Sequence, residues 1–563
     1  MIGLRWKSAA KRSDMTTTRS YSGAENMPFS KVLGDTTDAK GAKLSKSRLV
    51  KRISALLVVL FAVSLPYFPL TKAYFVNYDD FAELNRTVFE DARQPSIMFT
   101  TKHDGAKYRP LNRAINLVFF RLGHGGPGIF RARNVFFHLL NVAVLFGLGT
   151  LLSDSIFIAS VGAILFGLNP LAHQAVAGAI WTNTTAASMA LISVALGIWS
   201  YRASRHELRW LIVAITIAWI GVFTYEADVT SLGIIVLYFV LDSLLLHRVR
   251  VRKSWVWALL LLSTAVVASM IGTRAMVLKG EHQPIAPLIL IAKNSVMYVI
   301  ALLLPVDSLL ANQWFGTPLV SEIHLESISH KLVAIAGACA ACFVALVIFA
   351  LWRAIRKHGF SVSFMRCVFL LGAAVLSILP LLVFCDRPSE TYLYLPVAYT
   401  MLALAYILAV LRRSHPALSY ILIAFLISSY GCATWGRSQR VIHSAAIAQR
   451  ILNGLPIADW KQGEWHIRLA NAPGYTLPPR YGLYTYRGLD TIGNGDGVGA
   501  VRSALQLQTG NEYGLFANVL SADQMFQSCS PVTAVKDPCF WVYPDGRVEQ
   551  FPGGPTPRSS ATQ

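Results

Sequence analysis

Charge is scarce in this sequence, and negative charge scarcer still: Asp, Glu, Lys and Arg make up 14% of 563 residues, with 30 acids against 51 Lys and Arg. A soluble protein of this length needs more polar surface, so the 54% hydrophobic content places the chain with membrane proteins. The net charge of +21 does not point to nucleic acid, because much of the excess sits in an N-terminal tail and in short loops where membrane topology requires it. Cysteines are few. Cys339, Cys342, Cys367, Cys385 and Cys432 lie in or beside apolar segments and read as small core residues. Cys339 and Cys342 form a C-x-x-C without the neighbouring partners that a zinc or redox site needs. Internal repeats are absent, and no His/Cys/Asp cluster has ligand spacing that compels a metal. No cofactor is indicated, although Asp79 or Asp80 could contribute to a divalent-metal site.

The first fifty residues also lack any apolar run. Residues 1–52 hold twelve Lys or Arg against four acids and are expected to be a disordered, basic, cytoplasmic tail. The first apolar stretch begins near Ala55, later than a cleaved signal peptide would place it, so it is expected to remain as a span.

Long apolar runs, by contrast, are abundant. A hydrocarbon core of about 30 Å takes about 20 residues of helix. On that basis spans are expected near 53–71, 134–152, 155–170, 182–201, 210–225, 228–246, 254–273, 331–352, 367–386, 393–411 and 417–435, with a further run at 285–305. With the tail inside, the positive-inside rule is satisfied by Arg202, Arg205, Arg209, Arg248, Arg250, Arg252, Lys253, Arg353, Arg356, Lys357, Arg412 and Arg413. This parity requires 285–305 to lie on the surface or to re-enter, which Pro284, Pro287 and Pro305 favour. The expected fold is an all-α polytopic membrane protein of about 11–13 transmembrane helices with a small mixed α/β extracytoplasmic C-terminal domain. Its parts are the tail 1–52, a transmembrane domain 53–435 with a first outer loop 72–133, a C-terminal domain 436–552 and a disordered end 553–563. Ser438 to Leu452 reads as an amphipathic helix, and Trp465–Leu469 and Phe540–Tyr543 read as strands. A disulfide between Cys529 and Cys539 is consistent with an outer location of that domain.

Ionisable residues gather at the outer ends of the spans. Asp79 and Asp80 follow the first span by about eight residues, and adjacent carboxylates point in different directions, so one suits a base and the other an orienting or capping role. Arg109 and Arg113 flank a Pro that can start a helix, which puts both guanidinium groups on one face, either for a phosphate or for the loop's own acids. Arg133, His138 and Asn141 enter the second span, where such groups either mark function or tie helices together. His173, Glu226, Asp228, Arg387 and Glu390 stand at the outer ends of later spans. The first loop carries ten Lys or Arg against six acids, an excess suited to lipid phosphates.

At these residues the chain resembles the GT-C class of integral-membrane glycosyltransferases, and most of all the transmembrane and TPR-containing O-mannosyltransferases and their bacterial relatives. The matching pieces are the Asp79–Asp80 pair, Tyr108–Leu111 (YRPL), Phe137–Asn141 (FHLLN), Asn169–Gly178, Tyr225–Glu226, Leu304–Pro305, Asn312–Leu319 and Tyr392–Pro396, in the family's order over about residues 75–400. The resemblance implies inverting transfer from a polyprenyl-phosphate sugar, with a first-loop Asp as base. Tyr108, Arg109, Arg113, Arg133, His138, Asn141, His173, Glu226, Arg387 and Glu390 would serve the donor and its phosphate. Departures are Asn169 where the family has His, Tyr225 where it has Lys, Thr182–Asn183 in place of Gly-Arg, and no TPR pattern. The expectation is therefore a glycosyltransferase of the bacterial inner membrane, acting on its outer face. Its partners would be membrane lipid, a polyprenyl-phosphate-linked donor and a protein, lipid-linked glycan or cell-envelope polymer as acceptor, with no nucleic acid. The competing expectation is a multi-pass transporter or glycolipid flippase, for which repeats and midplane charges would be the signature.

Overall fold

The computed structural model describes residues 39–76, 78–101, 107–202, 207–245, 253–279, 285–303, 345, 362–384, 390–470, 480–481, 484–485, 498–513, 515–520, 538–543 and 545–550. The chain divides into two units, Met1–Ile53 and Ser54–Gln563. Helix α1, Ala39–Tyr67, begins in the first unit, and within the second it ends in a 3-10 turn, Phe68–Lys72. Short elements follow: α2 (Tyr78–Arg86), a π-turn (Thr87–Asp91), α3 (Ile97–Thr100) and α4 (Pro110–Gly123). The membrane bundle continues with α5 (Pro127–Ser153), α6 (Ile156–Leu168), α7 (Pro170–Ala177), α8 (Asn183–Arg202) and α9 (Glu207–Thr224). After a 3-10 turn, Glu226–Val229, come α10 (Thr230–Leu245), α11 (Lys253–Leu278), α12 (Leu288–Leu303) and α13 (Val362–Phe384). A further 3-10 turn, Glu390–Leu393, leads into α14 (Tyr394–Ser414) and α15 (Pro416–Asn453).

Among the described residues eight helices are long and apolar enough to cross a membrane, or nine if the bent pair α6–α7 counts as one span. The protein is a multi-pass membrane protein. The expected run at 285–305 forms α12, whose 16 residues fall short of a full crossing, and Ala286 donates its N–H to Val383 O at 2.8 Å, beside the end of α13. The expected span 331–352 and the basic residues after it lie outside the described residues. Expected spans 155–170 and 417–435 differ in shape. The first breaks at Asn169–Pro170 with a 59° bend, because Pro170 has no N–H to continue the ladder and holds Asn169 extended. The second runs on into the expected amphipathic helix as one 38-residue helix, so the 435/436 boundary falls inside it.

Helix α14 is central: most of Glu390–Ser414 is buried, whereas little of the peripheral Ser254–Leu278 is. Close approach to α14 depends on small residues, since a Cβ on Gly162 would stand 3.1 Å from the Leu402 Cα. The bundle has two distinct ends. At the upper end, Arg131 binds Ala73 O and Tyr74 O, Asp80 meets Ile180 N, Arg109 meets Glu226, and Arg437 meets Glu390. At the lower end, Arg202 binds Leu151 O, Tyr201 binds Asp242, Trp255 binds Ser200 and Ser419 binds Leu408 O.

At 1.5 Å per residue, α15 is about 57 Å long, well beyond the hydrocarbon thickness. Its last turns therefore project past the upper end and carry the C-terminal part. A 3-10 turn, Ile457–Trp460, leads to β1 (Trp465–Ala470), β2 (Arg480–Tyr481), β3 (Tyr484–Thr485), α16 (Val498–Thr509), β4 (Leu515–Leu520), β5 (Cys539–Val542) and β6 (Val548–Gln550). The main sheet has order β4-β1-β5-β6, with β1 parallel to β4 and β5 and with β6 antiparallel to β5; β2 and β3 form a separate antiparallel pair. Ile467, Leu469, Ala517, Phe540 and Val542 share one core with Val501, Ala504 and Leu505 of α16 and Ile447 and Ile451 of α15. The whole is an all-α polytopic membrane protein with a small mixed α/β part. Cys539 is disulfide-bonded, and Cys529, its expected partner, lies outside the described residues.

Candidate functional site

The upper end is built around a loop, residues 178–182, gripped from two sides. From one side comes Asp80, in the first turn of α2, where an acid is favourable to the helix N-terminus. Its carboxylate is fully buried, and its two oxygens accept from Ile180 N and Val76 N, each at 3.2 Å. The second of these bonds resembles the reach-back of a capping box, an acid at the third helical position closing on the backbone before the helix. From the other side comes α5. Arg133 donates to Ala179 O (3.1 Å), Trp181 O (2.9 Å) and Asn116 Oδ1 (2.7 Å), and Asn134 donates to Gly178 O. Gly178 is required where it stands, since a Cβ there would lie 2.5 Å from the Trp181 ring. Arg131 completes the lattice by donating to Ala73 O, Tyr74 O and Ala177 O.

Asp80 is thus an anchored carboxylate. Asp79 occupies the neighbouring position of α2, and its side chain lies outside the described residues. Helical spacing puts position 79 on the face of Glu83 and Arg86, which are 19% and 24% exposed. Glu83 and Arg86 are thus partly exposed, whereas Asp80 is fully buried.

A second group of ionisable residues lies at the same end and stays partly accessible. Arg109 Nε donates to Glu226 Oε2 at 2.7 Å and its guanidinium lies over the Tyr225 ring, while Arg274 at the upper end of α11 stands 3.4 Å from Glu226 Oε1. These three side chains are 18–24% exposed. Two guanidinium groups on one carboxylate leave the cluster with a net positive charge. Burial opposes the charge on Glu226, but Arg109 and Arg274 overcome it and hold the carboxyl below the usual range. Burial likewise opposes Arg109, which Glu226 nonetheless holds above its usual value. Tyr108 is buried, donating to Phe99 O at 3.1 Å and meeting Phe223 edge-on.

Asp228, two residues from Glu226, is 3% exposed, and its Oδ2 is buried with no hydrogen-bond partner among the described residues. Burial, with the charge of Glu226 added, pushes its carboxyl well above the ordinary range, and Arg109 offsets this only in part. A raised folded-state value means that its contribution to stability is complete below the unfolded value and is lost as pH rises through the folded one. Asp228→Asn, which cannot ionise, is expected to gain in melting temperature on the wild type as pH rises above the ordinary Asp range. Thermal melts of both proteins in nanodiscs test this; a difference that stays constant with pH would refute the assignment.

The remaining expected site residues have partners inside the protein. Arg113 is 2% exposed, paired with Asp91 and bonded to Thr101 Oγ1 (2.8 Å) and Glu90 (3.3 Å), so the loop's own acids hold it in place of a phosphate. His138 meets Tyr394 OH (2.8 Å) and Gly167 O (3.0 Å), and Asn141 donates to Thr184 O and Tyr394 OH. His173 meets Ser438 Oγ at 3.0 Å and stacks on Tyr67. Glu390 is paired with Arg437 at 2.7 Å, both 1% exposed. Arg387 lies outside the described residues. Reading the sequence does not single out Arg437, Arg131, Asn134 or Arg274. Arg437 carries a signal, a lone guanidinium at the end of an apolar run, which is retained only where a partner waits for it. Among the described residues no cluster of three His, Cys, Asp or Glu could hold a metal ion.

No family model matches the chain, and no curated protein matches it. Among solved structures it is similar to the Archaeoglobus fulgidus oligosaccharyltransferase AglB in complex with an inhibitory peptide and a dolichol-phosphate, with 11% identity, 90% of this chain and 74% of that one covered, and a TM-score of 0.44. It is similar also to the apo form of the Archaeoglobus fulgidus oligosaccharyltransferase (10% identity, 74% and 62% covered, TM-score 0.43), of whose length it spans about three-fifths. A third is ArnT from Cupriavidus metallidurans bound to undecaprenyl phosphate, with 14% identity, 88% and 92% covered, and a TM-score of 0.43.

Proposed function

We propose that this protein is a membrane glycosyltransferase that takes a sugar from a polyprenyl-phosphate-linked donor and transfers it, with inversion, to a protein, lipid-linked glycan or cell-envelope acceptor. It would act at the outer face of a bacterial inner membrane, with the N-terminal tail in the cytoplasm and the C-terminal part outside. The observation that carries this reading is the partly exposed Arg109–Glu226–Arg274 cluster, at the same end of the bundle as the helix bearing Asp79 and Asp80. The lower end carries Arg202, Arg412 and Arg413, the charge pattern of a cytoplasmic side.

In this reading Asp79 accepts the proton of the acceptor hydroxyl as its oxygen attacks the anomeric carbon from the side opposite the phosphate. The bond from that carbon to the phosphate oxygen breaks, and the departing lipid phosphate carries the electron pair. Arg109 and Arg274 neutralise the charge that develops on it, which is worth most in a partly desolvated site. Glu226 holds the two guanidinium groups apart and oriented. Asp80 keeps α2 seated, and Arg113, Arg133 and Glu390 act as scaffold.

The test is consumption of a panel of polyprenyl-phosphate sugars by the protein in lipid, with acceptor extract, with and without chelator. Arg109→Ala is expected to lower kcat/KM for the donor by about 10²–10³-fold, the scale of losing one charge-stabilising donor. Full turnover by this variant would remove Arg109 from the phosphate site. A transporter is the rival, and the broken span α6–α7 is the kind of feature transporters use. Here, however, the break sits at the upper end, not the midplane. The carbonyls it frees already have partners: Phe166 O accepts from Asn169 N, Gly167 O meets His138 Nε2, and Leu168 O accepts from Thr434 Oγ1.

A further inference from the structure

The C-terminal sheet could bind acceptor, or it could serve the site in another way, and its contacts favour the second. Helix α2 is held between two bodies. On the membrane side Asp80 seats it against residues 76 and 180. On the opposite side Phe81 and Leu84 enter the same core as Val501, Ala504 and Leu505 of α16, together with Ile447, Ile451 and Leu452 of α15. Polar contacts fix the register of that packing. Asn85 Nδ2 donates to Gln506 Oε1 at 2.9 Å, Gln506 Nε2 donates in turn to Glu512 O, and the Glu512 carboxylate pairs with Arg93. Gln506 is 6% exposed, so its amide has no ready substitute in solvent for these two partners.

We propose that α16 is a positioning element of the active site, in which Leu505 and Gln506 fix the rotation and depth of α2 and so the placement of Asp79. This rests on the reading of Asp79 as the base. With 80, 81, 84 and 85 turned to the two bodies, the backbone places position 79 on the remaining strip of α2 with 82, 83 and 86, whose side chains are partly exposed. A rotation by one residue step, about 100°, would turn position 79 away from that strip. Misplacement by about 1 Å is enough to cost about a hundredfold in rate. The sheet thus acts on turnover without touching substrate.

The experiment measures donor turnover and backbone hydrogen exchange in nanodiscs for wild type, Asn85→Ala, Gln506→Ala, the double variant, and Glu549→Ala on the exposed edge strand β6 as a control. Gln506→Ala and Asn85→Ala are each expected to lower kcat by about tenfold with little change in KM for donor or acceptor, and the double variant to add little to either, as for one shared contact. Exchange of the amides of Tyr78–Arg86 is expected to rise by about tenfold, a change that requires no activity to read. Glu549→Ala should alter neither. A rise in acceptor KM with kcat unchanged would overturn the proposal in favour of an acceptor-binding sheet. Unchanged exchange in α2 with unchanged kcat would overturn it outright. Asp79→Asn, measured alongside, separates the two readings: if it keeps full turnover while Gln506→Ala loosens α2, the base assignment has failed and the clamp has not.

Discussion

Asp79→Asn is expected to abolish sugar transfer, with kcat lowered by about 10²–10⁴-fold, the usual contribution of a positioned general base, and with an unchanged melting temperature. Asp80→Asn is expected to lose activity for a different reason. Both Asp80 oxygens accept backbone N–H groups, from Ile180 and Val76, so an amide would turn its own N–H groups towards one of these donors. Leaving a buried donor unmatched costs about 1–3 kcal/mol, and the variant should melt earlier as well as turn over slowly. Neighbouring acids in one short motif thus give separable signatures, chemistry alone for Asp79 and chemistry with stability for Asp80. Parallel assays of turnover and thermal melting decide it. Full activity in both variants would dismiss the glycosyl-transfer site, and an activity loss in Asp80→Asn with no change in melting would exchange the two roles.

Arg437→Met should be strongly destabilising. Arg437 stands on α15, donates to Pro170 O at 2.6 Å on α7 and pairs with Glu390 on the turn before α14, joining three elements at one buried point. Removing one member of a buried pair leaves the other charge without compensation, which costs about 3–5 kcal/mol. The companion Glu390→Gln keeps an acceptor and should cost less. The double variant should recover part of the loss, because no isolated charge remains. Thermal unfolding of the four proteins in the same nanodisc gives the cycle. Strict additivity of the two single effects would show that the pair is not coupled and that Arg437 acts through its other contacts, the bond to Pro170 O among them.

Much of the bundle is legible in the sequence because apolar length is a local property. Each run near twenty residues stands out on its own, and the strands at Trp465 and Cys539 stand out by their composition and alternation. Where reading along the chain falls short, the cause is non-local. The apolar run ending at Trp435 looks complete, yet α15 continues to Asn453. It does so because Arg437 meets Glu390, Ser438 meets His173, and Ile447 and Ile451 enter the core beneath the sheet, so its later turns face protein rather than water. Arg113 suits a phosphate and an internal ion pair equally well, and only the fold of the π-turn brings Asp91 to it.

Hydropathy and residue order suffice to establish that the chain crosses a membrane many times, and which ionisable residue types stand near the ends of its spans, since neither inference needs knowledge of contacts. Which of those charges belong to the scaffold and which stay accessible is settled only when the helices come together. Arg131, Arg133, Arg113 and Arg437 meet backbone carbonyls or carboxylates from other segments of the chain, whereas Arg109, Arg274 and Glu226 keep part of their surface exposed. A buried guanidinium is tolerated only where its N–H groups are met, and in a membrane bundle those partners come from other helices, whose positions no single stretch of sequence encodes.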